Sequence, residues 1–275
     1  MARKTYSTSE AKFQQWIKNG RGSGRGFEYK PWITVRDLPS EGRSHRIFGH
    51  KSQRTHHLLS DLELAVFLLL EWHSEVVEIR EQFPLERDIT SRLAVDNGIS
   101  HPAISGVKQY MSSDFLVNTN ELERPKFVLQ AKYADALNDP RTIEKLEIER
   151  RYWLEKDIPW HIVTEKEIPG VVVKNINWLY PANRDEISNE TLLERIQFFA
   201  HHFQKTPNSL MIDICKSLDV AYDLPPGESL KEFRQLLARR CFLFDLFTPT
   251  IKLKAKQLKL SSIDLLVGAL HVSNQ

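Results

Sequence analysis

The chain lacks the features that mark several protein classes. Its two cysteines, Cys215 and Cys241, are too few for a disulfide framework and have no partner at zinc-motif spacing, so we expect both to be core thiols. The longest uninterrupted apolar run, 64–70, has seven residues, whereas a bilayer-spanning helix needs roughly 20. No apolar signal segment follows the first methionine. We therefore expect a cytoplasmic protein without a membrane span.

Apolar sequence is present in sufficient amount for folding, and the charge is unevenly distributed. Apolar residues make up 41% of the 275 residues, which predicts a hydrophobic core. The net charge is only +2, but residues 1–60 hold 12 Lys and Arg against 4 Asp and Glu, residues 61–230 hold 18 against 29, and residues 231–259 hold 8 against 2. Basic flanks around an acidic centre are typical of a protein that neutralises phosphates and holds a metal. A solvated surface explains such charge runs equally well.

The first 55 residues combine arginines with glycines and aromatic residues. A short helix is predicted at 7–19, and it ends in the run Gly20–Gly26, whose spacing does not match a dinucleotide-binding loop. We interpret the segment as a flexible basic arm that tracks a nucleic-acid backbone. A solvated leader is the alternative. The arginines assigned to DNA binding are Arg21, Arg25, Arg43 and Arg46.

The chain divides into two predicted domains: 1–168, which includes the basic arm, and 169–275. In the first, helix and strand patterns alternate, which predicts an α/β fold with a mixed sheet flanked by helices. Its predicted helices are 60–72 and 141–155, and its strands are 76–79, 82–85, 111–117, 127–133 and 160–164. The second domain is mainly helical, and its order of helices and a short hairpin is typical of a winged helix. Its predicted helices are 175–180, 190–204, 208–218 and 230–240, followed by a hairpin of 241–247 with 250–253.

Polar residues interrupt two otherwise apolar strands. In the strand Phe127–Tyr133, side-chain alternation places Gln130 and Lys132 on the same face. Asp114 opens another apolar strand, where a carboxylate is costly unless it is exposed, paired or bound to a cation. Asp114 and Lys132 are thus candidates for one catalytic site. A structural ion pair between them is the alternative.

Two further groups of acidic residues lie on the predicted helices. Glu63 precedes an apolar stripe on its helix, which favours a buried carboxylate. The competing interpretation is a capping box, because Ser60 and Glu63 have the required spacing. Glu147 and Glu149 lie on a charged helix, for which we expect a solvated face; a supporting role behind the metal ligands is the alternative.

The order of these elements resembles the PD-(D/E)xK nucleases, which share the restriction-endonuclease-like fold. A helix carries Glu63, a strand carries Asp114, and a second strand carries Gln130 and Lys132, with Gln130 at a position usually held by an acid. The resemblance narrows to the TnsA family, the endonuclease subunits of Tn-seven-type transposases. Four segments carry it: HHLLSDLE at 56–63, IREQFPL at 79–85, MSSDFLV at 111–117 and ERRYW at 149–153.

The resemblance implies a Mg2+-dependent endodeoxyribonuclease, with Mn2+ as a substitute metal. Its implied catalytic residues are Glu63, Asp114 and Lys132, and its implied metal ligands are Glu63, Asp114 and Gln130. Asp114 would be the central ligand, while Lys132 would hold the attacking water or offset charge on the phosphate. A glutamine in place of an acid lowers the negative charge of the site. The family also has an N-terminal nuclease domain and a C-terminal winged-helix domain.

The same resemblance implies a function shared with partner proteins. The chain would cut the 5′ ends of a transposon and would act with a TnsB-like DDE transposase, which cuts and joins the 3′ ends, and with a TnsC-like AAA+ regulator. Its C-terminal domain would contact these partners or DNA. Two rival hypotheses are a stand-alone restriction or repair nuclease and a non-catalytic DNA-binding assembly factor, in which Glu63 only caps its helix and Asp114 only pairs with Lys132.

Overall fold

The chain divides into two units between Ile168 and Pro169. The computed structural model describes residues 9–37, 43–184 and 186–261. No helix within these ranges is long and apolar enough to cross a membrane.

The first unit contains short helices and strands around a four-stranded sheet. Its helices are α1 (Glu10–Lys18), α2 (Asp61–Trp72), α3 (Arg87–Asp96) and α4 (Pro140–Glu155). Its strands are β1 (His45–Gly49), β2 (Arg54–Leu58), β3 (Val76–Pro84), β4 (Ala103–Ile104), β5 (Val107–Lys108), β6 (Ser112–Thr119), β7 (Lys126–Ala131) and β8 (Trp160–Val163).

The central sheet is mixed and has the order β3-β6-β7-β8. The pairs β3/β6 and β6/β7 are antiparallel, whereas β7 and β8 are parallel because α4 connects them as a crossover. Leu116 and Val128 pack with Trp153 of α4 in a buried cluster. The alternate residue Leu129 lines a cavity with Val66 of α2, so helices flank both faces of the sheet. The predicted α/β fold is therefore confirmed.

The sequence-based elements differ from the structure at several places in this unit. The predicted strands 76–79 and 82–85 form one strand, β3. The hairpin of β1 and β2 and the helix α3 were not predicted. Strand β2 buries His56, and polar residues in both β-strands hide the alternation that usually marks a strand.

The glycine-rich segment is folded onto the first unit rather than extended as a free arm. The amide of Gly22 donates to the carbonyl of Lys30 at 2.6 Å. Gly24 has φ of +88°, and a Cβ at this position would lie 2.7 Å from the carbonyl oxygen of Glu28. Glycine therefore fits this turn because of both its backbone conformation and the close approach of another carbonyl. The expectation of a flexible arm is wrong for this part of the chain.

An aromatic cluster holds the helix α1 in place next to the glycine-rich segment. Phe13 and Trp16 of α1 pack against Trp32 and Tyr110, with ring centroids 4.6 to 6.0 Å apart. Phe13 and Trp32 are each only 2% exposed. Burial of such large rings supplies the stabilisation that the glycine-rich sequence itself does not provide.

The second unit is mainly helical. Its helices are α5 (Gly170–Leu179), α6 (Asn189–Lys205), α7 (Met211–Ala221) and α8 (Glu228–Ala238), and a two-residue strand β9 (Phe242–Leu243) pairs with β10 (Lys259–Leu260). The predicted hairpin partner 250–253 is therefore wrong, since Thr250–Lys252 forms a 3-10 helix instead. Both cysteines are buried free thiols, as expected. The winged-helix assignment stays a prediction.

Candidate active site

Asp114 and Gln130 lie side by side on the two central strands of the sheet. The antiparallel register of β6 and β7 pairs Phe115 with Leu129, so Asp114 lies opposite Gln130 one position further along. The Asp114 amide donates to Gln130 Oε1 at 2.9 Å, and Asp114 Oδ2 accepts from the amide of Ala131 at 2.8 Å. Both side chains are buried. These hydrogen bonds fix the Asp114 carboxylate at the end of β7, and the Gln130 oxygen retains a second lone pair.

Lys132 follows directly after β7 and faces Asp114. Its Nζ lies 3.9 Å from Asp114 Oδ2, which is an ion-pair distance but too long for a hydrogen bond. The attraction of Asp114 raises the pKa of Lys132 against the opposing effect of burial. The Lys132 side chain is 33% exposed and lines an open cavity. The predicted ion pair is thus present, and its geometry is compatible with both structural and catalytic roles.

Glu63 caps its helix and also points to the same site. Ser60 Oγ accepts from the Glu63 amide at 3.0 Å and donates to Glu63 Oε1 at 3.1 Å, while Glu63 Oε2 accepts from the amide of Leu59 at 2.9 Å. The carboxylate therefore returns to the residue before the N-cap, one residue earlier than in a standard capping box. Oε2 also accepts from Gln82 Nε2 at 3.3 Å. The capping interaction leaves the carboxylate directed toward the sheet.

Gln82 connects Glu63 with Asp114, a role that no pattern in the sequence indicated. Its Nε2 lies 3.3 Å from Glu63 Oε2 and also 3.3 Å from Asp114 Oδ1. One amide group thus donates to carboxylates from a helix and from a strand. Glu63 and Asp114 therefore meet at one buried point, with Gln130 and Lys132 next to Asp114.

The electrostatics of this point favour a bound cation. Burial, and then the charge of Asp114, raise the pKa of Glu63 to about 8. Two carboxylates that repel each other in a buried site are stabilised by a cation between or beside them. Among the residues that the structure describes, no three His, Cys, Asp or Glu side chains form a metal-binding group, so a cation here would depend on two carboxylates and the Gln130 oxygen. Hard divalent cations accept such oxygen ligands.

Glu149 is a third buried acidic residue near the site, and the solvated face predicted for it is wrong. It is 3% exposed, and its Oε1 accepts from Ser113 Oγ at 2.6 Å and from Trp160 Nε1 at 2.9 Å. Burial raises its pKa to about 7. A signal was present, because Leu146, Glu149 and Trp153 recur at helical spacing on a buried face.

An open cavity lies beside part of this group, at Gln130, Lys132 and Glu149. It has a volume of about 420 Å3 and is lined by Gln130, Lys132 and Glu149, with Lys145 and Tyr110 at its walls. Two lysines and a tyrosine supply donors for an anionic ligand. The cavity thus joins the polar end of β7 to solvent.

The four arginines assigned to DNA binding have two different environments. The Arg21 side chain is held by contacts within the protein. Its guanidinium donates to Asp37 at 2.7 Å and to the Trp32 carbonyl at 3.0 Å, and it also lies over the Trp16 ring. The other three are exposed: Arg25, Arg43 and Arg46. These three side chains are available to bind phosphate, whereas Arg21 has a structural role in the N-terminal segment.

Comparisons with known families cover both units of the chain. A family model described as "TnsA-like endonuclease N terminal" matches residues 73–165, and one described as "TnsA endonuclease C terminal" matches residues 167–246. Asp114, Gln130 and Lys132 lie inside the first match, whereas Glu63 lies before it.

A curated relative covers the whole chain, including Glu63. The protein described as "Transposon Tn7 transposition protein TnsA" from Escherichia coli is 48% identical over 274 residues, and the match spans 100% of each chain. At this level of identity over the full length, the two chains share a common fold and family. The resemblance predicted from four short segments of the sequence is therefore confirmed.

Proposed function

Because this chain belongs to the TnsA endonuclease family, we propose that it is the metal-dependent endonuclease subunit of a heteromeric transposase and hydrolyses phosphodiester bonds at the 5′ ends of a transposon. The observation that carries the proposal is the meeting of the Glu63 and Asp114 carboxylates at Gln82, with Lys132 Nζ 3.9 Å from Asp114. Similarity to a transposition protein over its full length supports a transposase subunit over a stand-alone nuclease.

The residues present fit a divalent cation, which we propose to be Mg2+, with Mn2+ as a substitute. Glu63, Asp114 and Gln130 would hold it, because burial and the charge of Asp114 make ionised Glu63 unfavourable without a cation and all three side chains offer hard oxygen ligands. When bound, such a cation lowers the pKa of water and stabilises charge on a phosphate.

Lys132 would act on the substrate directly. Its ammonium group faces both Asp114 and the open cavity, so it can donate to a non-bridging phosphate oxygen or hold the attacking water. Asp114 keeps Lys132 protonated, since its negative charge raises the pKa of the lysine. Glu63 and Asp114 fix the acidic side of the site through hydrogen bonds to the backbone amides of Leu59 and Ala131.

DNA and protein partners complete the proposed function. The exposed Arg25, Arg43 and Arg46 would bind the phosphates of the transposon ends. The unit 169–275 would contact the partners, a TnsB-like DDE transposase and a TnsC-like AAA+ regulator, or DNA. Its exposed lysines at 252, 254, 256 and 259 and the exposed Phe247 support such a contact surface.

One set of observations favours a second candidate, a non-catalytic DNA-binding assembly factor. Glu63 does make capping hydrogen bonds, and Asp114 does pair with Lys132, so each has a structural function without any metal. This candidate predicts that the chain is needed for assembly but not for bond cleavage.

Strand-specific cleavage separates these hypotheses. The full chain is combined with its DDE transposase and AAA+ regulator on DNA that carries transposon ends, with and without Mg2+, and the 5′ and 3′ breaks are mapped separately. We expect 5′ breaks only when the chain, Mg2+ and the partners are all present. Cleavage by the chain alone would favour a stand-alone nuclease, and 5′ breaks that persist without the chain would refute the proposal.

A further inference from the structure

Gln82 has a backbone conformation that is unusual inside a β-strand. Its φ is +48°, in the left-handed region, although it lies within β3, two residues before the end of the strand. Residues two apart in a regular strand share a face. Yet Glu81 binds Arg54 of β2, while Phe83 packs with its ring centroid 5.8 Å from that of Trp153 on α4. The regular alternation of side chains along β3 is therefore interrupted at Gln82. The backbone of Gln82 has a conformation that is unfavourable for any residue except glycine.

The side chain of Gln82 is held as firmly as its backbone. It is 2% exposed, and Ser112 Oγ donates to Gln82 Oε1 at 3.2 Å. This contact fixes the orientation of the amide, so that Nε2 faces the two carboxylates rather than Oε1. The backbone carbonyl of Gln82 also accepts from the amide of Trp32 at 3.2 Å. The surrounding structure thus imposes both the strained φ and the direction of the amide.

We propose that Gln82 is a positioning residue that sets the separation of Glu63 and Asp114 for a divalent cation; this rests on the metal site of the proposed function. The two carboxylates come from different elements and lie 19 and 32 residues from Gln82 in sequence, and its amide is a donor that both share. The left-handed backbone conformation of Gln82 directs its side-chain amide between the two carboxylates. Partners that orient metal ligands in this way commonly control metal affinity.

The test measures binding of Mg2+ alone to the full chain by calorimetry. Gln82→Met keeps the length of the side chain but removes the donor, so we expect the dissociation constant of Mg2+ to rise about tenfold. The rate of 5′ cleavage at saturating Mg2+ should change much less, because the bound cation then holds both carboxylates. A purely structural defect would instead lower the saturated rate.

A matched control is available in Gln53. It is also a glutamine with left-handed φ, +51°, but it is exposed and its Nε2 donates to the His50 carbonyl at 2.6 Å, outside the site. Gln53→Met should leave the affinity for Mg2+ unchanged. If Gln82→Met fails to fold, Ser112→Ala provides the second variant, since it removes only the hydrogen bond that orients the amide and should weaken Mg2+ binding in the same direction by a smaller factor.

The outcomes distinguish this inference from the function on which it rests. Unchanged Mg2+ affinity in both Gln82→Met and Ser112→Ala would overturn the positioning role while leaving the metal site standing. If the wild-type chain bound no Mg2+, or if Asp114→Ala did not reduce its Mg2+ binding, the metal site itself would be overturned. An equal loss of affinity in Gln53→Met would also overturn the inference, because the effect would then not depend on the position of the glutamine.

Discussion

Two groups of buried carboxylates lie at neighbouring residues of β3, and their environments are opposite: Glu81 belongs to the strand, whereas Glu63 and Asp114 contact the side chain of Gln82. Glu81 is fully buried and accepts from Arg54 at 2.9 and 2.5 Å, from the His57 amide at 3.1 Å and lies 2.8 Å from His56 Nδ1. Burial alone would raise its pKa, but the neighbouring His56 and Arg54 outweigh burial and hold the pKa of Glu81 well below its usual range. The charge of Glu81 is therefore compensated within the protein, by the guanidinium of Arg54 and the hydrogen bonds around it.

The neighbouring pair, Glu63 and Asp114, lacks such compensation by positive charge within the protein. Its closest donors are neutral amides and a hydroxyl, and its nearest cation, Lys132, is 3.9 Å away and partly exposed. The pKa of Glu63 is accordingly raised to about 8 by burial and by Asp114. Burial of a carboxylate therefore does not by itself identify a functional site; burial without sufficient positive charge does.

The largest expected effect concerns the pair Glu63 and Asp114. Asp114→Ala should abolish 5′-strand cleavage and leave the fold intact, because it removes the central carboxylate of the proposed site. Joining of the 3′ ends by the partner should persist, so the products should shift from simple insertions toward cointegrates. Gel analysis of the strands and products measures both.

A matched substitution away from the site serves as the control for this loss. Asp96 is an exposed aspartate on α3 whose carboxylate lies 3.4 Å from the guanidinium of Arg92, also exposed, on the same helix. Asp96→Ala should therefore cleave like the wild type. Normal 5′ cleavage by Asp114→Ala would disprove the role of Asp114.

The next largest effect contrasts the stabilities of the two carboxylate groups. Glu81→Gln leaves the Arg54 guanidinium buried without its counter-charge, so the free energy of unfolding should fall by about 3 kcal/mol or more. Glu63 is largely protonated at pH 7 because burial and Asp114 raise its pKa to about 8, so Glu63→Gln keeps a neutral side chain and an acceptor for the Leu59 amide and should not lower the free energy of unfolding. Denaturant unfolding of the metal-free chain measures both. Equal losses would show that the two groups do not differ in the way proposed.

The pH dependence of stability should have opposite signs at the two sites. Between pH 4.5 and about 8 the folded chain keeps a proton on Glu63 that the unfolded chain has released, so metal-free protein should lose stability as the pH rises through this window. Glu149, with its pKa raised to about 7, adds to the same trend. Glu81 has a depressed pKa, so its stabilisation is present above pH 4.5 and is lost as the pH falls below that value.

Thermal unfolding across pH 4 to 8 in a chelator tests these signs. Glu63→Gln should flatten the decline in melting temperature on the alkaline side, and Glu149→Gln should flatten what is left of it. Glu81→Gln should instead flatten the decline on the acid side. A difference in melting temperature between the metal-free wild type and Glu63→Gln that stays the same from pH 5 to pH 8 would contradict the raised pKa of Glu63.

The sequence predicted those parts of the site that depend on local periodicity. Strand alternation placed Gln130 and Lys132 on one face, and the apolar stripe of α2 placed Glu63 toward the interior, because a period of 2 or 3.6 residues is readable without a partner element. The family resemblance then indicated which of these residues belong together.

Contacts between distant elements explain what could not be predicted from the sequence. Gln82 lies in a run that looks like an ordinary strand, and its role depends on a left-handed φ that the structure around it imposes. Glu149 has charged neighbours on α4, so only its position on the buried face distinguishes it from them. The predicted partner of β9 was wrong because a pairing of two residues leaves hardly any pattern in the sequence.

The smallest expected effect extends the comparison from carboxylates to arginines. Arg21 is compensated by Asp37, with its Nη1 at 2.7 Å, whereas Arg25, Arg43 and Arg46 are exposed. Changing these three residues to Gln should lower the slope of log affinity for DNA against log salt by roughly 0.9 for each phosphate that the protein no longer neutralises. Arg21→Gln should instead lower thermal stability and leave that slope nearly unchanged, because its charge is already paired within the protein. Titrations of duplex DNA at several salt concentrations measure the slope, and an equal change in slope for Arg21→Gln would mean that the Asp37 pair opens when DNA binds.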